Sequence, residues 1–235
     1  MKRLALIFMS LLFISLSASC KANDAADIPS DADATGRITA VLSGAGSDDV
    51  ITDIPSDIEI AYISADKVFF EDLKQVEDNA TIIVEADVRK NLGQKVSTHY
   101  DEGLKKELPD AGYTKWEIEV TKVYKGDLKA EDKLVLLQNY YVWTYSDGKE
   151  QFVTLTDLKP AEKDRKYLLF LKYDDRNEGY WPVGDYEGMF AVPTDEMKKM
   201  AKDMTLEQSD FDVYNYEQLN YLIPIYNEVV PKYFD

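Results

Sequence analysis

The chain has 235 residues, 44 acidic against 27 basic for a net charge of −17, one cysteine and one histidine. So acidic a surface repels nucleic-acid phosphates and anionic lipid headgroups, which excludes nucleic acid, or a membrane face gripped by basic residues, as partner. A lone cysteine excludes internal disulfides and thiolate metal sites, and His99, in a polar stretch, is too little for a His-rich zinc site, so no cofactor is expected.

The first element is the leader. Lys2 and Arg3 precede an apolar run from Leu4 to Leu16, and Ser17, Ala18 and Ser19 lead into Cys20. A charged start, a short apolar stretch and small residues describe a secretory signal, and the run is too short to cross a bilayer of roughly 30 Å. A cysteine directly after the small residues resembles the bacterial lipoprotein signal, although Ser17 stands where that family prefers leucine and Leu16 lies one place further back. The resemblance implies removal of residues 1–19, a diacylglyceryl thioether on Cys20, and residence on the outer face of the bacterial cell membrane. Cleavage there removes Lys2 and Arg3 and no acidic residue, so the mature chain is more acidic still. The acyl chains then hold the protein alone; each buried CH₂ contributes about 0.8 kcal/mol, and two chains suffice where one is marginal.

Residues 20–56 read as a tether. Lys21 to Gly36 is built from Ala, Asp, Asn, Ser and Pro, and Ser43 to Asp49 is rich in glycine and serine. Asp-Ile-Pro-Ser-Asp occurs twice, at Asp27–Asp31 and Asp53–Asp57, without further self-similarity. As a coil, a stretch of this length spans on the order of 30–35 Å.

A barrel domain is expected over 57–193. Ser64-Ala65-Asp66 is placed to cap a helix through Val68, Phe69, Leu73 and Val76. Ala80 to Val88 reads as a strand, and the polar stretch Asn91 to Gly112, with two further interior glycines (Gly93, Gly103) and Pro109, as an excursion holding a short helix. From Tyr113 the chain alternates, with Trp116, Ile118 and Val120 on one face and Glu117, Glu119 and Thr121 on the other. Lys133 to Tyr145 reads as one long strand, Ser146-Asp147-Gly148-Lys149 as a hairpin turn, and Gln151 to Leu155 as its return. Lys166 to Tyr173 is a buried strand and Tyr180 to Val192 the last. At least five short strands at this spacing predict a sandwich or a closed barrel. A helical cap is expected over 194–235, with a Met197, Met200, Ala201, Met204 stripe on a helix starting at Thr194 and a second helix through Leu219, Leu222, Ile223, Tyr226 and Val230, interrupted or kinked at Pro224.

Taken in order, Ala80–Val88, Trp116–Leu136 and Leu158–Lys172 resemble a recurring domain of Gram-positive surface lipoproteins. The resemblance implies an OB-like closed antiparallel barrel of the netrin and tissue-inhibitor-of-metalloproteinase type, within a mainly β (α+β) fold with a short N-terminal helix and C-terminal helices. It covers under half of the chain and carries turns and strands rather than chemistry. Those inhibitors wedge a disulfide-bonded N-terminal cysteine onto a catalytic zinc, and this chain has no counterpart to it.

The candidate chemistry divides unevenly. Ser64-x-x-Lys67 and Ser146-x-x-Lys149 match a penicillin-binding tetrad, yet the accompanying Ser-x-Asn and Lys-Thr-Gly elements are missing. Asp185 and Glu187, flanking Tyr186, form the best carboxylate pair for glycoside hydrolysis, the enzymatic alternative. Asp174 to Gly179 offers oxygen ligands for Ca²⁺ but without the spacing of an EF-hand loop, and reads as an acidic hairpin tip. The strongest signal is aromatic: Tyr141, Trp143 and Tyr145 share one face of a strand, with Tyr180, Trp181 and Tyr186 on what is expected to be a neighbour. Flat rings with polar tips suit a partner surface or a sugar platform, and equally suit a core. The expected function is non-catalytic: a module binding an envelope protein, peptide or glycan through Tyr141, Trp143, Tyr145, Trp181 and Tyr186. A structural or immunity-type surface protein is the third class.

Overall fold

The structure, a computed structural model, describes residues 58–63, 65, 68–156, 159–184, 187–203 and 222–234. The leader, Cys20, the tether, Ser64, Asp66, Lys67, Asp185, Tyr186, Met204 and Leu219 lie outside the described residues.

The fold is mainly β with a few helices. After a short strand β1 (Glu59–Tyr62), the first helix is α1 (Leu73–Asn79). It starts later than the expected Ser64 cap because Asp72 provides the cap: its carboxylate accepts the Gln75 N–H at 2.8 Å. Val68 and Phe69 precede the helix and are exposed. Two strands of 20 residues follow, β2 (Ile82–Asp101) and β3 (Lys106–Lys125), paired antiparallel along their whole length. The stretch 91–112 is therefore neither a loop nor a short helix but the outer part of this hairpin. Its polar composition is that of an arm wet over most of both faces, and its breakers sit where the ladder is already irregular. Gly93, at φ +91°, follows a register shift at Asn91/Gly93, and Pro109 lies beside the shift at Ser97/Thr98.

The segment expected as one strand over Lys133–Tyr145 is two, β4 (Lys133–Gln138) and β5 (Tyr140–Thr144), which break at the exposed Asn139 and join different sheets. β5 pairs with β6 (Glu150–Thr154) across the expected hairpin, whose Gly148 takes φ +82°, and β1 pairs parallel to β6 in a three-stranded sheet. β7 (Lys166–Asp174), β8 (Gly179–Pro182) and β9 (Met189–Ala191) complete the larger sheet; the last two replace the single strand expected over 180–192.

The larger sheet is ring-like. Its pairings run from β2 to β3, β4, β8 and β7, and β7 returns to β2, while β9 adds to β7 beyond β8. All are antiparallel except β4–β8, which meet in parallel at Leu136 and Tyr180. Alternate residues of β2 and β7 are buried on opposite faces. Val84, Ala86, Val88, Leu169 and Leu171 meet Trp116, Ile118, Val120 and Leu136 inside the ring. Ile83, Leu168 and Phe170 face outward under α1, α2 (Asp195–Lys202) and α3 (Leu222–Tyr233). Strands buried on both faces lose the alternating pattern and read as continuous apolar runs, as in Tyr167 to Leu171.

Thr194 caps α2, its hydroxyl accepting the Met197 N–H at 3.2 Å. Pro224, where an interruption or kink is expected, lies in the first described turn of α3, and residues 204–221 before it are outside the described ones. The far end of α3 is tied down by polar contacts. The Tyr233 hydroxyl donates to Glu77 at 2.6 Å, Lys232 pairs with the same carboxylate, and the Tyr124 hydroxyl sits between Glu85 and the Tyr233 carbonyl.

Candidate functional site

The aromatic row divides between interior and surface. Tyr141 and Trp143 do share a face of β5, but that face packs with Val153, Ala61, Ile63 and Val96, leaving the two rings 2% and 8% exposed. The cause is the long arm. Gln94 of β2 lies along the edge of β5, its side-chain amide accepting the Val142 N–H and donating to the Val142 carbonyl, both at 2.8 Å. Thr114 of β3 donates to the Tyr140 carbonyl at 2.8 Å. Gly112 admits the Tyr141 ring, since a Cβ there would stand 2.6 Å from Tyr141 Cδ1. Tyr141 and Trp143 thus clamp the small sheet to the arm and offer no open platform. Tyr145, 36% exposed, remains at the hairpin end with its hydroxyl donating to Gln151 at 2.8 Å.

Trp181 is placed differently. Strand alternation puts Leu134 and Leu136 inside the ring and Tyr180 against the same core, so Trp181 lies on the outer face of β8. There it meets Tyr113 of β3 edge to face, with centroids 5.4 Å apart and planes at 72°. Tyr113 shares the outward parity of Lys115, Glu117 and Glu119, opposite Trp116 and Ile118. The pair is held by the β7–β8 turn. Asp174 accepts the Trp181 indole N–H at 3.0 Å, the Asn177 amide at 2.8 Å and the Arg176 backbone N–H at 2.9 Å, while the Tyr113 hydroxyl donates to Asn177 at 2.8 Å. Lys95 and Lys115 stand 6.0 and 5.8 Å from the Tyr113 ring centre. The result is two rings in fixed orientation, half-buried, with ammonium groups beside them.

The Asp174 carboxylate oxygens are in use as acceptors within the turn, and among the described residues no cluster of three His, Cys, Asp or Glu side chains is arranged for a metal ion. These donors, the Trp181 indole first, hold the Asp174 carboxyl down at about 2. A carboxyl depressed below its unfolded value near 3.9 stabilises the turn fully above about pH 4 and loses that contribution as pH falls through about 2. The Trp181 indole proton resonance is therefore expected to stay constant from pH 7 to about 4 and to move with a midpoint near 2. In Asp174→Ala that transition disappears; a midpoint near 4 in the native chain contradicts the contact.

Of the carboxylate pair proposed from the sequence, Asp185 lies outside the described residues. Glu187 is fully enclosed and accepts the Phe70 backbone N–H at 3.1 Å, a role in tying the segment before α1 to the ring. His99 bonds Asp110 across the arm through Nδ1, and Ser97 donates to the Ala111 carbonyl instead of to the imidazole. The second Ser-x-x-Lys tetrad is the β5–β6 turn, where Asp147 accepts the Lys149 N–H at 3.0 Å.

Tyr113, Lys95 and Lys115 are not among the residues the sequence singles out for the site, and Asn177 is singled out only as part of the acidic loop. The signal for Tyr113 was present: it lies three residues before Trp116, on the opposite parity, and so on the wet face of its strand. No protein-family model matches the chain, and no curated protein matches it.

Proposed function

We propose that this protein is a lipoprotein anchored through Cys20 to the outer face of the bacterial membrane, carrying an OB-type barrel that works as a non-catalytic binding module for an envelope glycan. The strand order supports the OB reading: a five-membered ring of β2, β3, β4, β8 and β7, with β4 and β8 parallel, is the circuit such barrels use. OB domains bind along the outer face of their second and third strands, between the loop joining strands one and two and the loop joining strands four and five. Here those places are β3 and β4, the β2–β3 arm, and the Asp174–Glu178 turn.

The observation that carries the reading is the Tyr113–Trp181 pair, oriented by Asp174 and Asn177 on that face. Rings locked by hydrogen bonds lose little entropy when a sugar face stacks on them, and a neutral glycan is not repelled by an acidic protein. Each ring contributes about 1 kcal/mol, so removing both weakens binding by roughly tenfold to a hundredfold. Purified mature protein and its Tyr113→Ala/Trp181→Ala variant, mixed with insoluble wall sacculi and sedimented, test this. The variant is expected to stay in the supernatant at concentrations where the native protein pellets. Equal sedimentation of two folded proteins contradicts the reading.

A further inference from the structure

Beside Trp181 a cleft of about 50 Å³ opens between the ring and the small sheet, lined by Leu137, Gln138, Asn139, Thr156, Pro182 and Met189 among others. Its volume admits a handful of non-hydrogen atoms, since one water needs about 10–15 Å³ on the same measure. At its base Gln138 is about nine-tenths buried. The amide orientation is fixed, because Oε1 accepts the Ala161 N–H at 3.0 Å. Nε2 then has as its partner among the described residues only the Met189 sulfur at 3.5 Å. A thioether is a weak acceptor, and the amide nitrogen carries two protons. A buried N–H without a good acceptor favours any ligand that brings one. Leu137, Pro182 and Met189 supply an apolar wall next to that donor.

We infer that this cleft takes the acetamido group of a 2-acetamido sugar whose ring lies against Trp181. The carbonyl oxygen accepts from Gln138 Nε2, the methyl group lies on Leu137 and Met189, and the pyranose stays outside, where the cleft is open. A free 2-amino group is refused, since an ammonium has only donors to set against the Gln138 N–H. A plain hydroxyl fills less of the cleft and leaves the apolar wall uncovered. This inference rests on the glycan reading of the Trp181 face.

Calorimetric titration of the mature protein with three tetramers tests it: β-1,4-linked N-acetylglucosamine, the same tetramer de-N-acetylated, and cellotetraose. The acetylated tetramer is expected to bind at least about tenfold tighter than the other two. Gln138→Glu keeps an acceptor for Ala161 and removes the donor, and it is expected to abolish the preference. Because that variant buries a carboxylate, Thr156→Phe, which fills the cleft from its half-exposed rim, is run beside it and is expected to lose the preference with an unchanged circular dichroism spectrum. Binding of all three tetramers within twofold, still lost in Trp181→Ala, overturns the acetamido cleft and leaves the glycan face standing. Binding that survives Trp181→Ala overturns both, and no binding of any tetramer at 10 mM overturns the cleft assignment.

Discussion

Replacing Cys20 by serine is expected to abolish incorporation of labelled fatty acid into this protein completely. The chain contains no second cysteine to take the lipid. No helix among the described residues is long and apolar enough to cross a membrane, and the acidic surface is repelled by anionic headgroups. Two acyl chains with roughly a dozen or more buried CH₂ groups each, at about 0.8 kcal/mol per group, would bring on the order of 20 kcal/mol. Lipid incorporation is the primary readout because an uncleaved leader would also hold the variant at the membrane. Where the leader is still removed, the variant is expected in the medium. Undiminished labelling of Cys20→Ser contradicts the anchor.

The largest effect on the folded domain is expected from Trp116→Ala. Trp116 is buried inside the ring in one cluster with Val88, Ile118 and Leu136, and its indole N–H donates to the Tyr140 hydroxyl at 2.8 Å. The same side chain thus fills the ring and fastens it to the small sheet. Truncation of a buried Trp costs about 3–5 kcal/mol, out of the 5–15 kcal/mol typical of a domain. At about 2–4 °C per kcal/mol for a chain of this size, the thermal midpoint falls by roughly 6–20 °C. Trp116→Phe keeps an aromatic ring in the core, so its cost is centred on the lost hydrogen bond, about 1 kcal/mol, with a smaller packing term. Thermal unfolding followed by circular dichroism separates the two. Equal midpoints for native and Trp116→Ala proteins contradict the placement of Trp116.

What the sequence revealed follows from how each element is wetted. Trp116, Ile118 and Val120 were readable as an inward face because β3 has water on its other side there. The turn at Ser146–Lys149 and the helix start at Thr194 were readable because Asp-Gly and Thr act locally. The arm was not. Residues 91–112 have little apolar periodicity because most of both faces meet water, so glycine and proline dominated the reading. The aromatic row misled for the opposite reason. β5 is buried on both faces, Tyr140 and Val142 packing with Phe152 while Tyr141 and Trp143 pack with Val153, and periodicity cannot tell a doubly buried strand from a one-sided platform. Of the candidate site, Trp181 was legible as an aromatic on a strand expected beside the Tyr141–Tyr145 row, whereas β8 pairs with β4 and β7. Its partner Tyr113 is separated from it by 68 positions and is joined to it only by the closure of the ring.

The most direct test of the central claim uses the three tryptophans, whose indole protons give one resonance each. Trp116 and Trp143 are enclosed, and Trp181 stands on the proposed face. Addition of solubilised wall glycan to ¹⁵N-labelled mature protein is predicted to shift the Trp181 resonance progressively and saturably while those of Trp116 and Trp143 hold still. A Trp181 resonance that stays in place at saturating glycan contradicts a ligand face built on Tyr113 and Trp181.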